Sequence, residues 1–556
     1  MAQTNYPDFF QRYILLVVAI AGTVLFGLLS FYHSLWWTIG FVLSAVGVAT
    51  GLYDMFQKRH TITRNYPIAA RIRWLAYDLR PYLRAYIVEG DLEDTPYSVQ
   101  ARNLVYARAR GHGGTIPFGT ELEVGKAGYG WLDHSIAPCE APDHHPRVDI
   151  GGEQCAKPYN ASILNISAMS FGSLSARAIE ALNWGAARGN FYHDTGEGGV
   201  SPYHRKHNGD LVWEIGSGYF GARNSDGHFD PARFADTAQI DQIKMTEIKL
   251  SQGAKPGHGG LLPGAKVTEE IASVRKIEPW QDCLSPRGHN AFSTPVEMLE
   301  FAARMRELSG GKPVGIKLCV GQLHEIFAIM KAMRTSGILL DFIVVDGAEG
   351  GTGAAPLELS NHVGMPLRDG LIHMRNALVG AGLRDKVRLA ASGKVYSGWT
   401  MAENLALGAD WCNAARAFMF SIGCIQAQRC DKGTCPTGIA TQDRLRQRGL
   451  VPEIQGQRAA AFHEATLHAL SEITAAAGVE HPRDLMPHHI SLRPEVLEAD
   501  SFDTAFVLLK ENALIDAPDE TMYARHWQAA SADTFRPAKE IPLAHMNATR
   551  RVFSQT

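Results

Sequence analysis

From about residue 160 to residue 415 the chain alternates short apolar, β-branched runs with amphipathic helical stretches, an order that few folds can accommodate. The strand candidates are Ile163–Ala168, Phe191–Asp194, Leu211–Ile215, Thr246–Leu250, Val314–Leu318, Phe342–Val345, Arg388–Ala391 and Trp411–Ala414. Helical stretches fall between several of them, at Ser175–Arg188, Val267–Lys276, Pro295–Leu308, His324–Arg334, Leu367–Val379 and Thr400–Leu407. Eight strands with intervening helices predict an α/β chain closed into a (β/α)8 TIM barrel. An open doubly wound sheet is the rival, but no Gly-x-Gly-x-x-Gly turn opens the first helix.

Chemistry in such barrels gathers at the carboxyl ends of the strands. There this sequence is dense in glycine and polar residues. The first strand ends in Ala168-Met169-Ser170, the second in Asp194-Thr195-Gly196-Glu197, and the fourth in Glu247-Ile248-Lys249, followed by Gln252-Gly253-Ala254-Lys255-Pro256-Gly257. Strand five presents Lys317, strand six runs into Asp346-Gly347-Ala348-Glu349-Gly350-Gly351, and the last two end in Gly393-Lys394 and Ala415-Arg416. Glycine recurring at successive strand ends implies backbone that approaches something closely. Phosphate in these barrels typically lies on the loops after strands seven and eight. Gly393 and the amides of Ala415 and Arg416 would form that cradle, with Lys394 or Arg416 adding charge. Flavin mononucleotide (FMN) fits this arrangement, its ring across the barrel mouth. Lys249 and Gln252 would meet the polar edge of the ring, with Ala168, Met169, Ser170 and Gly351 as further cofactor contacts.

Beyond the last strand, Cys424, Cys430 and Cys435 stand as C-x5-C-x4-C in a turn rich in Gly and Pro. Three thiolates so placed can hold an iron–sulfur cluster. A disulfide framework is the rival, but an odd trio closed by Cys-Pro suits a three-iron cluster better. Eight cysteines in 556 residues, three of them clustered, fit a reducing compartment. Cys139, Cys155, Cys283, Cys319 and Cys412 are scattered and read as buried small apolar residues. Gln457–Ala477 has helical spacing and ends at Gly478, as a helix covering the barrel exterior would. Histidines 481, 488, 489, 526 and 545 are poorly spaced for a metal site.

The N-terminus departs from this pattern. Tyr13 to Phe31 and Leu35 to Leu52 lack any Asp, Glu, Lys or Arg, and each is long enough to cross a bilayer core as a helix. With His33 and Ser34 between them, the two predict a transmembrane hairpin over residues 1–57. A cleaved signal peptide is disfavoured, because two spans follow each other without a small-residue cleavage site. Lys58, Arg59, Arg64, Arg71, Arg73, Arg80 and Arg84 follow, and positive charge flanking a membrane exit marks the cytoplasmic side. The expected location is therefore the inner membrane, with a cytoplasmic catalytic body. That basic run, with Trp74, Tyr77, Tyr82 and Tyr86, either lies along anionic headgroups or forms a solvated linker. The expected order is a hairpin (1–57), a basic linker and extension (58–150), the barrel with its cysteine loop (151–478) and a C-terminal extension (479–556). A net charge of −3 gives no argument for a nucleic-acid partner.

Several motifs are long enough to carry a resemblance. Gln-Gly-Ala-Lys-Pro-Gly at 252–257, Gly-Gly-Thr-Gly-Ala at 350–354 and Cys-Pro-Thr-Gly-Ile-Ala-Thr-Gln at 435–442 resemble the synthase domain of the glutamate synthase family, over roughly residues 150 to 475. The resemblance implies an FMN barrel with a 3Fe-4S cluster beside the flavin, reducing the imine of 2-oxoglutarate and ammonia to L-glutamate. A dicarboxylate needs fixed cations, and Lys317 is well placed to be one. An imine under reduction needs a proton source, for which Glu247 is the candidate.

The departures bear on substrate. The chain begins Met1-Ala2 where the large family enzymes carry a glutaminase domain with an exposed first cysteine, so ammonia or another amine donor is expected from elsewhere. His258 replaces a usual Glu, Asp194 a common Asn, and Asp346-Gly347-Ala348-Glu349 a Gly-His-Asp segment. No NADPH fingerprint is evident, so a separate electron donor or acceptor (a ferredoxin, a flavoprotein or a quinone) is expected. Two alternatives share these residues: an amino-acid dehydrogenase feeding a membrane quinone, and an electron-relay subunit of a larger complex.

Overall fold

The computed structural model describes residues 8–541, apart from 93, 94, 144 and 497. His545 and the start of the expected hairpin lie outside the described residues. The chain divides into two compact units, Met1–Thr95 and Pro96–Thr556.

In the first unit the helices Asp8–Tyr32 and Trp37–Phe56 pack against each other through small residues. A Cβ on Gly40 would stand 2.8 Å from the Phe26 ring, and one on Gly51 2.6 Å from Leu16, so only glycine permits this approach. The outer surface stays apolar, with Val18, Val24, Leu25, Leu43 and Val46 exposed. Arg12–Tyr32 and Trp37–Phe56 are long and apolar enough to cross a membrane, with mean hydropathies of 2.6 and 1.6.

The second unit is built on a closed barrel of eight parallel strands. In chain order they are β1 (Leu164–Ile166), β2 (His193–Asp194), β3 (Leu211–Ile215), β4 (Ile243–Lys249), β5 (Val314–Leu318), β6 (Phe342–Asp346), β7 (Arg388–Ser392) and β8 (Trp411–Ala414). Each lies within or beside a run expected from sequence. The ring closes where β8 pairs with β1, Cys412 opposite Leu164. Strands buried on both faces show no strict alternation of apolar and polar residues; Phe342–Asp346 is apolar up to its last residue, whereas Leu211–Ile215 and Val314–Leu318 each carry one charged residue.

A hairpin, Arg147–Ile150 with Tyr159–Ser162, covers the amino end of the barrel. The Gly152 amide donates to Asp341 Oδ1 (3.0 Å) just before β6, and Arg388 Nε to the Asp149 carbonyl (3.1 Å) at the start of β7. The expected outer helix runs Pro452–Ala476, starting earlier because Pro452 is suited to a first helical turn. It packs on the helix Ala176–Gly189, where Gly185 faces Ala459 and Gly456 faces Trp184. The chain then returns, Ile490–Leu492 pairing antiparallel with Gly130–Leu132. Of the scattered cysteines, Cys283, Cys319 and Cys412 are buried, but Cys139 and Cys155 are only half-buried. Their thiols lie beside the carbonyls of Val479 (3.1 Å) and Gly311 (3.3 Å), and so serve loop contacts instead of core packing.

Candidate active site

The barrel interior is polar where an ordinary core would be apolar. Low in the barrel, the Tyr192 hydroxyl donates to Asn413 Oδ1 (2.6 Å) and accepts from Trp411 Nε1 (2.8 Å). Above them Asp194, Glu214 and Glu247 place carboxylate oxygens within 4.8 Å of one another, all buried. The ladder forces this meeting, because Glu214 and Glu247 are direct register partners on β3 and β4. Lys317 on β5 reaches across to Glu214 Oε2 at 2.9 Å, both side chains buried.

Burial alone would push the Lys317 ammonium down. Glu214, Glu247, Asp194 and Asp346 outweigh it and hold the lysine well above its ordinary value. Burial and then the charge of Asp194 raise Glu247 well above the carboxylate range, against Lys317. Glu247 Oε1 has no hydrogen-bond partner among the described residues. Burial and Glu214 raise Asp194 to about 7, against Lys317 and the Gly196 amide. A single ammonium thus serves several acids, and burial beside them favours the protonated form of Glu247. Replacing Lys317 with Met leaves Glu214 buried and unpaired, a loss of about 3–5 kcal/mol. Thermal unfolding checks this, and a midpoint equal to wild type would show that the ion pair contributes nothing.

Cations collect at the mouth. Lys249 Nζ lies 3.2 Å from Glu197 Oε1 and 3.2 Å from Gln252 Oε1. Burial favours the neutral amine, but Glu197 and Glu214 raise Lys249 above its ordinary value. Burial raises Glu197 while Lys249, Arg275 and Lys255 pull it down, and the cations prevail. Arg275 is itself buried, its Nη2 donating to the Phe171 carbonyl (3.2 Å) and lying 3.4 Å from Ser170 Oγ. Its Nε has no partner. Three cations against one carboxylate leave an excess of positive charge, the electrostatics of an anion site.

The loops over this site are in contact. A Cβ on Gly253 would lie 1.8 Å from the Gly347 carbonyl oxygen, so the β4 and β6 loops meet only at glycine. Asp346 fixes the contact by accepting from the Gly253 amide (2.7 Å), and Gln252 Nε2 donates to the Gly351 carbonyl (2.9 Å). After β7 and β8, Lys394 sits in the left-handed region (φ +46°) and is lowered by burial and then by the nearby Arg416. Arg416 stacks over Tyr97 at 4.9 Å and donates to the Glu349 carbonyl. Two cations held near each other on these loops suit a phosphate.

Of the residues expected from sequence, Glu247 and Lys317 meet inside the barrel. Lys249 and Gln252 meet at its mouth, and Lys394 and Arg416 on one side. The β1 loop also enters, Met169 and Ser170 packing where a Gly196 Cβ would stand 2.7 Å from the Ser170 amide. Lys317 is committed to Glu214 and does not stand open at the mouth. Arg275, Glu197 and Glu214 were not among the expected residues. An acid within Leu-Val-Trp-Glu-Ile was the available signal for Glu214.

The cysteine loop docks on the same body. Cys424, Cys430 and Cys435 are near enough for their charges to affect one another. They form no trio within 4.8 Å, the acids being the only such group among the described residues. Burial raises Cys435, but the amides of Ala440, Thr437 and Ile439 and the Thr437 hydroxyl outweigh it, favouring the thiolate. Lys266 Nζ, on the Cys430 carbonyl (2.5 Å), adds positive charge.

Fold and site together define a β/α-barrel enzyme with cations gathered about Glu197 and a buried acid, Glu247, inside the barrel. Residues 143–480 match the profile described as the conserved region in glutamate synthase. The chain belongs to the glutamate synthase family and is an oxidoreductase of that type, acting on CH–NH2 groups. A glutamate synthase large subunit-like protein YerD of Bacillus subtilis (strain 168) is 35% identical over 82% of this chain and 95% of its own. An archaeal-type glutamate synthase (NADPH) of Thermotoga neapolitana is 34% identical over 59% of this chain, which spans only 61% of that relative. Among solved structures, a flavocytochrome b2 is 13% identical with a TM-score of 0.40, covering 78% of this chain and 86% of its own. At that distance nothing about the site transfers.

Proposed function

We propose that this chain is a membrane-anchored oxidoreductase that reductively aminates 2-oxoglutarate, or a related oxo acid, to L-glutamate. It would use FMN at the barrel mouth and a 3Fe-4S cluster on Cys424, Cys430 and Cys435. The observation that carries the reading is the set of cations Lys249, Arg275 and Lys255 around Glu197, in a barrel that also buries Glu247 with an oxygen unpartnered among the described residues. Bound FMN would supply hydride, and the cluster would supply its electrons singly.

This chain's own groups do the rest. Lys394 and Arg416 neutralise the cofactor phosphate, with Gly393 and the Ala415 and Arg416 backbone alongside. Lys249 and Gln252 meet the polar edge of the ring, and Ala168, Met169, Ser170 and Gly351 line its place. Ammonia replaces the keto oxygen of the oxo acid, which leaves as water, and Arg275 and Lys255 hold the carboxylates of the resulting imine, orienting its carbon–nitrogen bond. Glu247 carries its proton on Oε1 and passes it to the nitrogen as that bond is reduced. Lys317 balances the acids around Glu247, so the proton is held on one of them. Nitrogen arrives as ammonia or an amine, and a separate partner handles the electrons. The hairpin anchors the body on the cytoplasmic face of the inner membrane. Apolar helices of spanning length also favour the reverse flux as a second reading, an amino-acid dehydrogenase delivering electrons to a quinone.

Arg275 provides the test. Arg275→Ala should retain flavin but weaken 2-oxoglutarate binding by about 2–5 kcal/mol, roughly 30- to 3,000-fold in Kd. Perturbation of the flavin spectrum on titration measures it, and unchanged affinity would remove the cation pocket from substrate binding.

A further inference from the structure

The helix Ala69–Leu83, beyond the second apolar span, has an apolar face left exposed among the described residues. At 3.6 residues per turn, Ile72, Leu75, Leu79 and Leu83 fall on one stripe. They are exposed by 63%, 60%, 44% and 47%. Arg73, Arg80 and Arg84 run along one edge of that stripe, and Arg71 lies on the other. Asp78 falls beside Arg71 on that second edge. Arg84 pairs with Glu89 (3.6 Å), whereas Arg73 and Arg80 have no ion pair among the described residues. Both line a cleft of about 750 Å³ whose walls include Tyr77, Leu83 and Val88.

The helix is fastened to the end of the span. Asp54, buried in the last turn of Trp37–Phe56, accepts from Arg71 Nη2 (2.7 Å), Arg71 Nε (2.9 Å) and the Ile68 amide (3.1 Å). Trp74 Nε1 donates to Thr63 Oγ1 (3.3 Å), tying the helix to the connecting turn. This linkage fixes the first turn of the amphipathic helix beside the membrane exit.

We propose that Ala69–Leu83 lies in the headgroup layer of the bilayer, its Ile72–Leu75–Leu79–Leu83 stripe among the acyl chains. Arg73 and Arg80 hold the phosphates of anionic phospholipids. The proposal rests on the reading of the preceding hairpin as a membrane anchor. An apolar stripe edged by arginine is the pattern of interfacial helices, and cations near an anionic surface are drawn to it. Continuity with the span excludes a distant acidic surface as the simpler partner.

The test uses the full chain in nanodiscs of phosphatidylcholine, with and without phosphatidylglycerol. Hydrogen exchange of residues 69–88 is read by mass spectrometry. We expect exchange at least tenfold slower with phosphatidylglycerol, a difference lost in the Arg73→Glu/Arg80→Glu double variant and kept in Arg73→Lys/Arg80→Lys. Equal exchange in both lipids overturns the proposal while leaving the anchor intact. So does protection by inorganic phosphate in phosphatidylcholine discs, which would assign a free-anion site. Failure of the full chain to enter nanodiscs overturns the anchor and the proposal together.

Discussion

Glu247→Gln should lower turnover by about 10²- to 10⁴-fold, the range that a positioned proton donor supplies, with flavin content unchanged. The amide matches the carboxyl in shape and cannot give up a proton. The pH profile supplies a second check. Glu247 is raised by burial and by Asp194, so it is protonated below its elevated pKa and ionised above it. Turnover should therefore fall as pH rises through that value. Burial and Glu214 raise Asp194 to about 7, and its ionisation adds a negative charge that favours keeping the proton on Glu247. An unaltered turnover in Glu247→Gln would assign the proton to another group.

Cys430→Ala should abolish the three-iron EPR signal entirely and stop turnover with the physiological electron partner, while the flavin remains. The loop has no spare thiol: Cys283, Cys319 and Cys412 are buried elsewhere in the core, and no fourth cysteine lies within the Cys424–Cys435 run. Loss of one ligand from three leaves an iron open, so a partly restored cluster is not expected. Persistence of the signal in this variant would remove the C-x5-C-x4-C run as its ligand set.

Much of the barrel was legible because both faces of a parallel strand are buried, so several strands are short, mostly apolar runs such as Phe342–Val345. Glycines and lysines at the strand ends marked the mouth, as Gly253 against Gly347 shows. What stayed hidden depends on register and on excursions. Glu214 sits mid-strand, and only the pairing of β3 with β4 brings it against Glu247 and gives Lys317 its partner. Arg275 ends a seven-residue helix, Glu269–Arg275, in the long excursion between β4 and β5, away from any strand end. Its guanidinium returns to the mouth because the short pair Leu261–Leu262 with Cys283–Leu284 folds that excursion back. No local pattern encodes such a return. The cysteine loop was legible from its spacing, whereas the amides that favour the Cys435 thiolate come from turn geometry at Thr437–Ala440.

That flavin and an iron–sulfur centre share this one barrel can be measured directly. Protein isolated and reconstituted without oxygen should release stoichiometric FMN on denaturation and, before that, show a three-iron EPR signal that dithionite bleaches. A colourless preparation lacking both groups after reconstitution would contradict the account.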